Sequence, residues 1–266
     1  MSLLMEYINR ALGTTLQVTH EIFPVVTLTG PRQSGKTTLC RHLYPDMPYI
    51  NFENVQTGLL FNDNPVGFID SFSNGAIIDE AQIEPTVFRA LQTVVDEDRH
   101  IGRNRKFIIT GSSNFSIMAN SSESMAGRTA PLTLLPLSVN EILQNRKDYV
   151  STNELMYLGG YPQIWTSPIK AAEIILQSYI DTYVERDLRQ LMNIKDLNKF
   201  IKFLGLCAGR VGTELNRSSL AVETGVTVAT IDSWLSVLEA SYVIWMLPPW
   251  STNINKRLTK SSKLYF

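Results

Sequence analysis

Cysteine, histidine and charge are all scarce in this chain. Only two cysteines, Cys40 and Cys207, stand in 266 residues, and they lie far apart, which excludes a disulfide framework and a paired-cysteine zinc site. That pattern suits a reducing cytosol, where isolated thiols serve as small buried hydrophobes. The three histidines, His20, His42 and His100, are scattered without metal-ligand spacing. Charged residues make up 18% of the chain, and 24 basic side chains against 25 acidic ones leave a net charge of −1. This excludes a globally basic nucleic-acid binder and an acidic disordered tail, though not a local basic patch. Long apolar runs are missing too. The uncharged stretch Thr129–Asn140 has twelve residues and two prolines, short of the ~20 needed to cross a bilayer. The opening apolar stretch carries Glu6 and lacks the basic-then-apolar order of a signal peptide, so the chain reads as cytoplasmic. What remains is 44% hydrophobic and long enough for one large domain or two ordinary ones.

The first half alternates short β-branched runs with helix-like segments, the pattern of a parallel sheet covered by helices. A leading helix is expected over Met1–Val18, strands at Val25–Thr29, Tyr49–Phe52, Gly75–Ile78, Phe107–Thr110 and Leu132–Leu135, and helices over Gly35–Tyr44 and Pro85–Asp96. The character changes near Gln144, where a domain boundary is placed, giving domains 1–144 and 145–266. Helical periodicity follows over Ile169–Leu191 and Leu197–Cys207.

The strongest motif is Gly30-Pro31-Arg32-Gln33-Ser34-Gly35-Lys36-Thr37, followed by Thr38, between an expected strand and an expected helix. Glycines let such a loop take conformations closed to other residues, so its amides approach phosphate oxygens, and the following helix adds its positive end. Lys36 reaches the β- and γ-phosphates in such a site, and the Thr37 hydroxyl holds Mg²⁺. Further on, the apolar run Gly75–Ile78 ends in Asp79 and Glu80. Asp79 is placed to orient the metal ion and Glu80 to polarise an attacking water as general base; the alternative is a solvated acidic turn. A third segment, Phe107–Thr110 followed by Gly111-Ser112-Ser113-Asn114, ends a neighbouring strand in polar groups that sense a γ-phosphate. Thr110 and the Ser112–Asn114 cluster are equal candidates. Arg128 is a candidate arginine finger, acting in its own chain or from a neighbouring subunit, against the ordinary alternative of a salt-bridged surface residue. Arg99, Arg103, Arg105 and Lys106 form a basic run whose default reading is a solvated loop.

GPRQSGKTTL, AIIDEAQ, FIITGSSN and AGRTAPLTLLPLSVNEI together resemble prokaryotic AAA-superfamily ATPases that join an AAA domain to a C-terminal domain of unknown function. YLGGYPQIW, YVERDLRQL and the run from Thr230 to Phe266 are similar to that second domain. The resemblance implies an α/β P-loop fold, ATP and Mg²⁺ as ligands, and nucleotide-site roles for Gly30–Thr37, Asp79, Glu80 and the strand end near Thr110. Such proteins continue beyond the KLYF block into a further β-rich region, so this chain is expected to be truncated.

Within the second half, Ser218–Glu223, a turn at Gly225 and Thr227–Glu239 have the rhythm of a helix-turn-helix, with Thr227 as cap. Tyr242–Leu247 and Lys263–Phe266 are expected to form a wing, joined by a segment bearing Lys256, Arg257 and Lys260 and no acid. Contact with duplex DNA and contact with a protein partner both remain open, because the second helix carries Asp232 and Glu239 but no lysine or arginine. Trp234, Trp245 and Trp250 are expected as core anchors. The sequence thus predicts Mg²⁺-dependent ATP hydrolysis coupled to a winged-helix-like domain, in a monomer or a homo-oligomer. The alternatives are a nucleotide-dependent switch with little turnover and a DNA-binding regulator.

Overall fold

The computed structural model describes residues 7–111, 125–146, 148–183, 196–252 and 260–266. It comprises two compact units, 1–172 and 173–266, the division falling later than the change in sequence character at Gln144. Among the described residues, no helix is long and apolar enough to cross a membrane.

The first unit is built on five parallel strands: β1 (Val25–Thr29), β2 (Tyr49–Asn51), β3 (Ile77–Asp79), β4 (Phe107–Thr110) and β5 (Thr129–Thr133), in the spatial order β2-β3-β4-β1-β5. Every residue of β1 and β4 is buried, as sheets covered on both faces require. Successive side chains serve opposite faces. Val25, Phe107 and Ile109 join Ile78, Phe61 and Phe88 on one face. Val26, Leu28 and Ile108 join Ile77, Leu16 and Leu39 on the other. Helices α1 (Leu12–Ile22) and α2 (Lys36–Leu43) supply the second face. Helices α3 (Val55–Asp63), α4 (Pro65–Asp70) and α5 (Val87–Ile101) supply the first, with Val87, Leu91, Val94 and Val95 of α5 at helical spacing.

Several elements depart from expectation, each for a local reason. Residues 1–6 of the expected leading helix lie outside the described residues; residues 7–10 are not helical, Arg10 and the Ala11 amide being engaged by Glu141, and α1 runs from Leu12 to Ile22, just before Pro24. β5 begins at Thr129 and includes Pro131, which an edge strand paired only with β1 tolerates. Helices α3 and α4 were not anticipated. Their signals are two asparagine caps: Asn54 accepts from the Gln56 amide and Asn64 from the Gly67 amide, with Pro65 opening α4. Arg105 is not in a solvated loop. It is buried, donates to both carboxylate oxygens of Asp98 at 2.8 and 2.7 Å, and reaches Asp70 Oδ1 at 2.9 Å. Three further helices, α6 (Val139–Asn145), α7 (Thr152–Leu158) and α8 (Pro162–Trp165), close the unit, the first two opened by capping boxes at Ser138/Glu141 and Ser151/Glu154.

Helix α9 (Ala172–Thr182) leads into the second unit, where α10 (Leu197–Ala208), α11 (Arg217–Thr224) and α12 (Val228–Ala240) precede an antiparallel pair, β6 (Trp245–Leu247) and β7 (Lys263–Tyr265). Gly225 takes a left-handed conformation between α11 and α12, and Thr227 caps α12 by accepting from the Thr230 amide. Trp234 packs with Phe200 and Phe203 in the core. Trp245 and Trp250 are not core anchors: they are 59% and 80% exposed. Asp232 of α12 pairs with Arg217 of α11 at 2.7 Å.

Candidate nucleotide site

The loop 30–37 leaves the C-terminal end of β1, which has β4 on one side and β5 on the other. A ligand crevice forms at such a point in an open parallel sheet. Gly30 has φ +147°, and a Cβ there would lie 2.1 Å from the Leu134 carbonyl oxygen, so only glycine lets the loop leave the sheet against that backbone. Gly35, at φ +91°, stands immediately before α2, whose first turn has no side-chain cap. Its leading amides are therefore open to an anion.

Lys36 is 7% exposed, and its ammonium donates to the carbonyls of Gly30 and Pro31 at 2.9 and 2.8 Å. Burial pulls its pKa down to about 8 against the opposing pull of Glu80 and Asp79. Asp79, 5% exposed, gathers donors from four directions. The hydroxyls of Thr37 and Tyr49 donate to Oδ2 at 2.7 and 2.6 Å, Thr110 donates to Oδ1, and the Glu80 amide donates to Oδ1 at 3.1 Å. The strand register arranges this. Ile78 of β3 sits opposite Ile109, which brings Asp79 beside Thr110, and Asn51 of β2 sits opposite Asp79. Glu80 holds a left-handed backbone, uncommon for a side-chain-bearing residue, and bonds Gln82. Burial raises its pKa above the ordinary 4.5.

The structure thus brings Lys36, Thr37, Asp79, Glu80 and Thr110 together around the loop. Ser112–Asn114 lie outside the described residues. Arg128 is not part of this group in its own chain: it precedes β5 at the opposite end of the sheet, where its guanidinium pairs with Asp96 at 2.6 and 2.8 Å. Two participants had no motif to mark them. Tyr49 opens β2, and Gln82 lies two residues beyond Glu80. Among the described residues, no cluster of three His, Cys, Asp or Glu side chains could hold a metal ion unaided.

Residues 23–143 match the AAA domain family, and residues 150–266 match a domain of unknown function (DUF8612). The chain joins an AAA domain to that second domain. It is 33% identical over 245 residues to two uncharacterized proteins, Mb2031c of Mycobacterium bovis and Rv2008c of Mycobacterium tuberculosis, with 91% of this chain and 54% of each relative covered. The chain therefore spans about half the length of these curated relatives. Among solved structures it is similar to the Walker-type ATPase PABY2304 of Pyrococcus abyssi, with a TM-score of 0.65 at 15% identity, over 97% of this chain and 93% of that one. The AAA domain has the P-loop ATPase fold.

Proposed function

We propose that the AAA domain binds ATP with Mg²⁺ at Gly30–Thr38 and hydrolyses it to ADP and phosphate. The observation that carries this reading is the hydrogen bond from Thr37 to Asp79, 42 positions away, which unites the phosphate loop with the acidic strand end. The buried Ser34 hydroxyl supports it: among the described residues this group has no hydrogen-bond partner, and a phosphate oxygen would satisfy it. Thr37 and Asp79 form an all-oxygen pair that fits Mg²⁺, an ion usually shared between one or two protein oxygens, substrate phosphates and water. When bound, that ion neutralises charge on the phosphate oxygens.

The chain's own groups do the rest. Loop amides and Lys36 bind the phosphates, and burial of Lys36 strengthens each of those contacts. Glu80, half-buried with Gln82 against it, orients the attacking water and takes its proton. Thr110 keeps Asp79 in register. Arg128, tied to Asp96 in its own chain, serves as a finger only from a neighbouring copy. The helix-turn-helix of the second unit, with exposed Lys260 and Lys263 nearby, serves as a docking module for duplex DNA or a protein.

The deciding assay is ATP hydrolysis with Mg²⁺, with and without duplex DNA, beside Glu80→Gln and Lys36→Ala. Retained binding with turnover reduced about 100-fold or more in Glu80→Gln is the expected result. Undiminished binding by Lys36→Ala would sink the site. Tight binding without turnover in the parent protein would make it a switch.

A further inference from the structure

Arg10, in the non-helical stretch before α1, ties together three segments far apart in sequence. Its Nη1 donates to the Ser34 carbonyl in the phosphate loop at 2.7 Å. Nη2 donates to the carbonyls of Leu135 and Pro136, beyond β5, at 2.6 and 3.3 Å. Nε donates to Glu141 Oε1 at 3.1 Å. Glu141 is itself pinned, accepting from the amides of Ala11 and Ser138 at 2.7 and 2.8 Å. The two side chains are only 5% and 9% exposed.

The consequence for the loop follows from peptide geometry. The Ser34 carbonyl and the Gly35 N–H belong to one trans peptide unit, so the two groups point in opposite directions. Holding the carbonyl outward on Arg10 turns the Gly35 N–H the other way, towards the inner side of the loop. Gly35 is the residue least able to hold that plane unaided, since glycine has the widest choice of backbone conformations. Its neighbours leave room for a turn, because a Cβ there would find nothing closer than Arg10 Nη1 at 3.7 Å and Pro162 Cγ at 3.8 Å.

We infer that Arg10, locked by Glu141, is a positioning residue that orients the Ser34–Gly35 peptide for phosphate binding and so sets nucleotide affinity. The inference rests on the nucleotide-site reading above and adds to it a group that touches no nucleotide. It also couples the loop to the segment leading into α6, because one guanidinium holds both. A lysine cannot replace it, having a single point charge where the fork serves four acceptors.

The test compares Arg10→Ala, Arg10→Lys, Glu141→Gln and Lys36→Ala. ATP and ADP affinities are measured by calorimetry with Mg²⁺, at a temperature where circular dichroism shows each variant folded. Arg10→Ala is expected to raise Kd about tenfold or more, with KM rising in step and kcat changing far less, and Arg10→Lys to recover little of it. Glu141→Gln, which keeps an acceptor but loses the charge, is expected to raise Kd about threefold. A purely structural pair would lower the melting temperature and leave the Kd of the folded protein unchanged. A folded Arg10→Ala with Kd within about twofold of the parent overturns the inference. Should Arg10→Ala not fold, parental Kd in both Arg10→Lys and Glu141→Gln overturns it equally. Lys36→Ala separates the two levels: if it loses binding while the Arg10 variants keep theirs, the site stands and only the positioning role falls.

Discussion

The phenol of Tyr49 and the hydroxyl of Thr37 donate to the same oxygen of Asp79, at 2.6 and 2.7 Å. One belongs to the start of β2 and the other to the first turn of α2, so Asp79 is oriented by two elements that meet only in the folded sheet. The Arg41 guanidinium lies 5.1 Å over the Tyr49 ring and holds that ring in place.

Tyr49→Phe should therefore loosen Asp79 without disturbing the core, since the ring is retained. Losing one neutral donor costs about 1 kcal/mol, so Mg²⁺-dependent nucleotide affinity should fall about fivefold. Affinity measured without metal should barely move. Titration of ADP binding with and without Mg²⁺ checks this, and an equal loss in both conditions would refute a role through Asp79.

Lys36 predicts opposite pH responses for binding and for stability. Its pKa is about 8 in the folded protein against an ordinary 10.5. Below about pH 8 it already carries its proton, so nucleotide affinity is flat there. Above that pH, binding must take up a proton, and affinity should fall by up to about tenfold per pH unit. The unliganded fold should instead gain stability between those two pKa values, because the unfolded lysine is still protonated where the folded one is not. Nucleotide titrations and urea unfolding across that window test both signs.

The acid limb of hydrolysis should belong to Glu80. A general base is lost when protonated, and burial has moved this carboxyl above its ordinary 4.5. Turnover should therefore fall at a higher pH than an exposed glutamate would give, with nucleotide affinity little changed. A pH–rate profile of kcat reads this directly.

Arg105→Met should be severely destabilising. It would leave Asp98, whose side chain is 6% exposed, as a buried carboxylate without its guanidinium. Breaking one half of such a pair costs about 3–5 kcal/mol, which should lower the melting temperature by roughly 10 °C. Adding Asp98→Leu should restore much of the loss, and failure of the double variant to recover would contradict this account.

Gly30→Ala should cost both folding and binding. The added methyl carbon would stand 2.1 Å from the Leu134 carbonyl oxygen, at a backbone angle that alanine rarely adopts. Backbone on both sides of the clash leaves no flexible side chain to yield. A melting curve and an ADP titration on the same preparation check the two effects.

Much of the nucleotide domain was legible because its signals are local. β1 and β4 are legible in VVTLT and FIIT, since strands buried on both faces read as largely apolar, β-branched runs. The phosphate loop, its glycines and the acidic strand end announce themselves by spacing, and so does the Thr227 cap of α12. Other features are decided by neighbours that a linear reading cannot see. The strand expected at Leu132–Leu135 instead spans Thr129–Thr133 and takes in Pro131, which only its place at the sheet edge allows. Arg105 looked like part of a solvated basic run until Asp98 and Asp70 closed on it. The position of Arg128, at the end of the sheet away from the phosphate loop of its own chain, depends on which end of β5 it precedes and not on its motif. Tyr49 on Asp79, and Arg10 between Ser34 and Glu141, are relations between residues brought together by strand register and helix packing. Covalent spacing and local periodicity therefore determine the elements and the type of chemistry. The orientation of each functional group is decided by contacts across long sequence separations, which exist only once the sheet has formed.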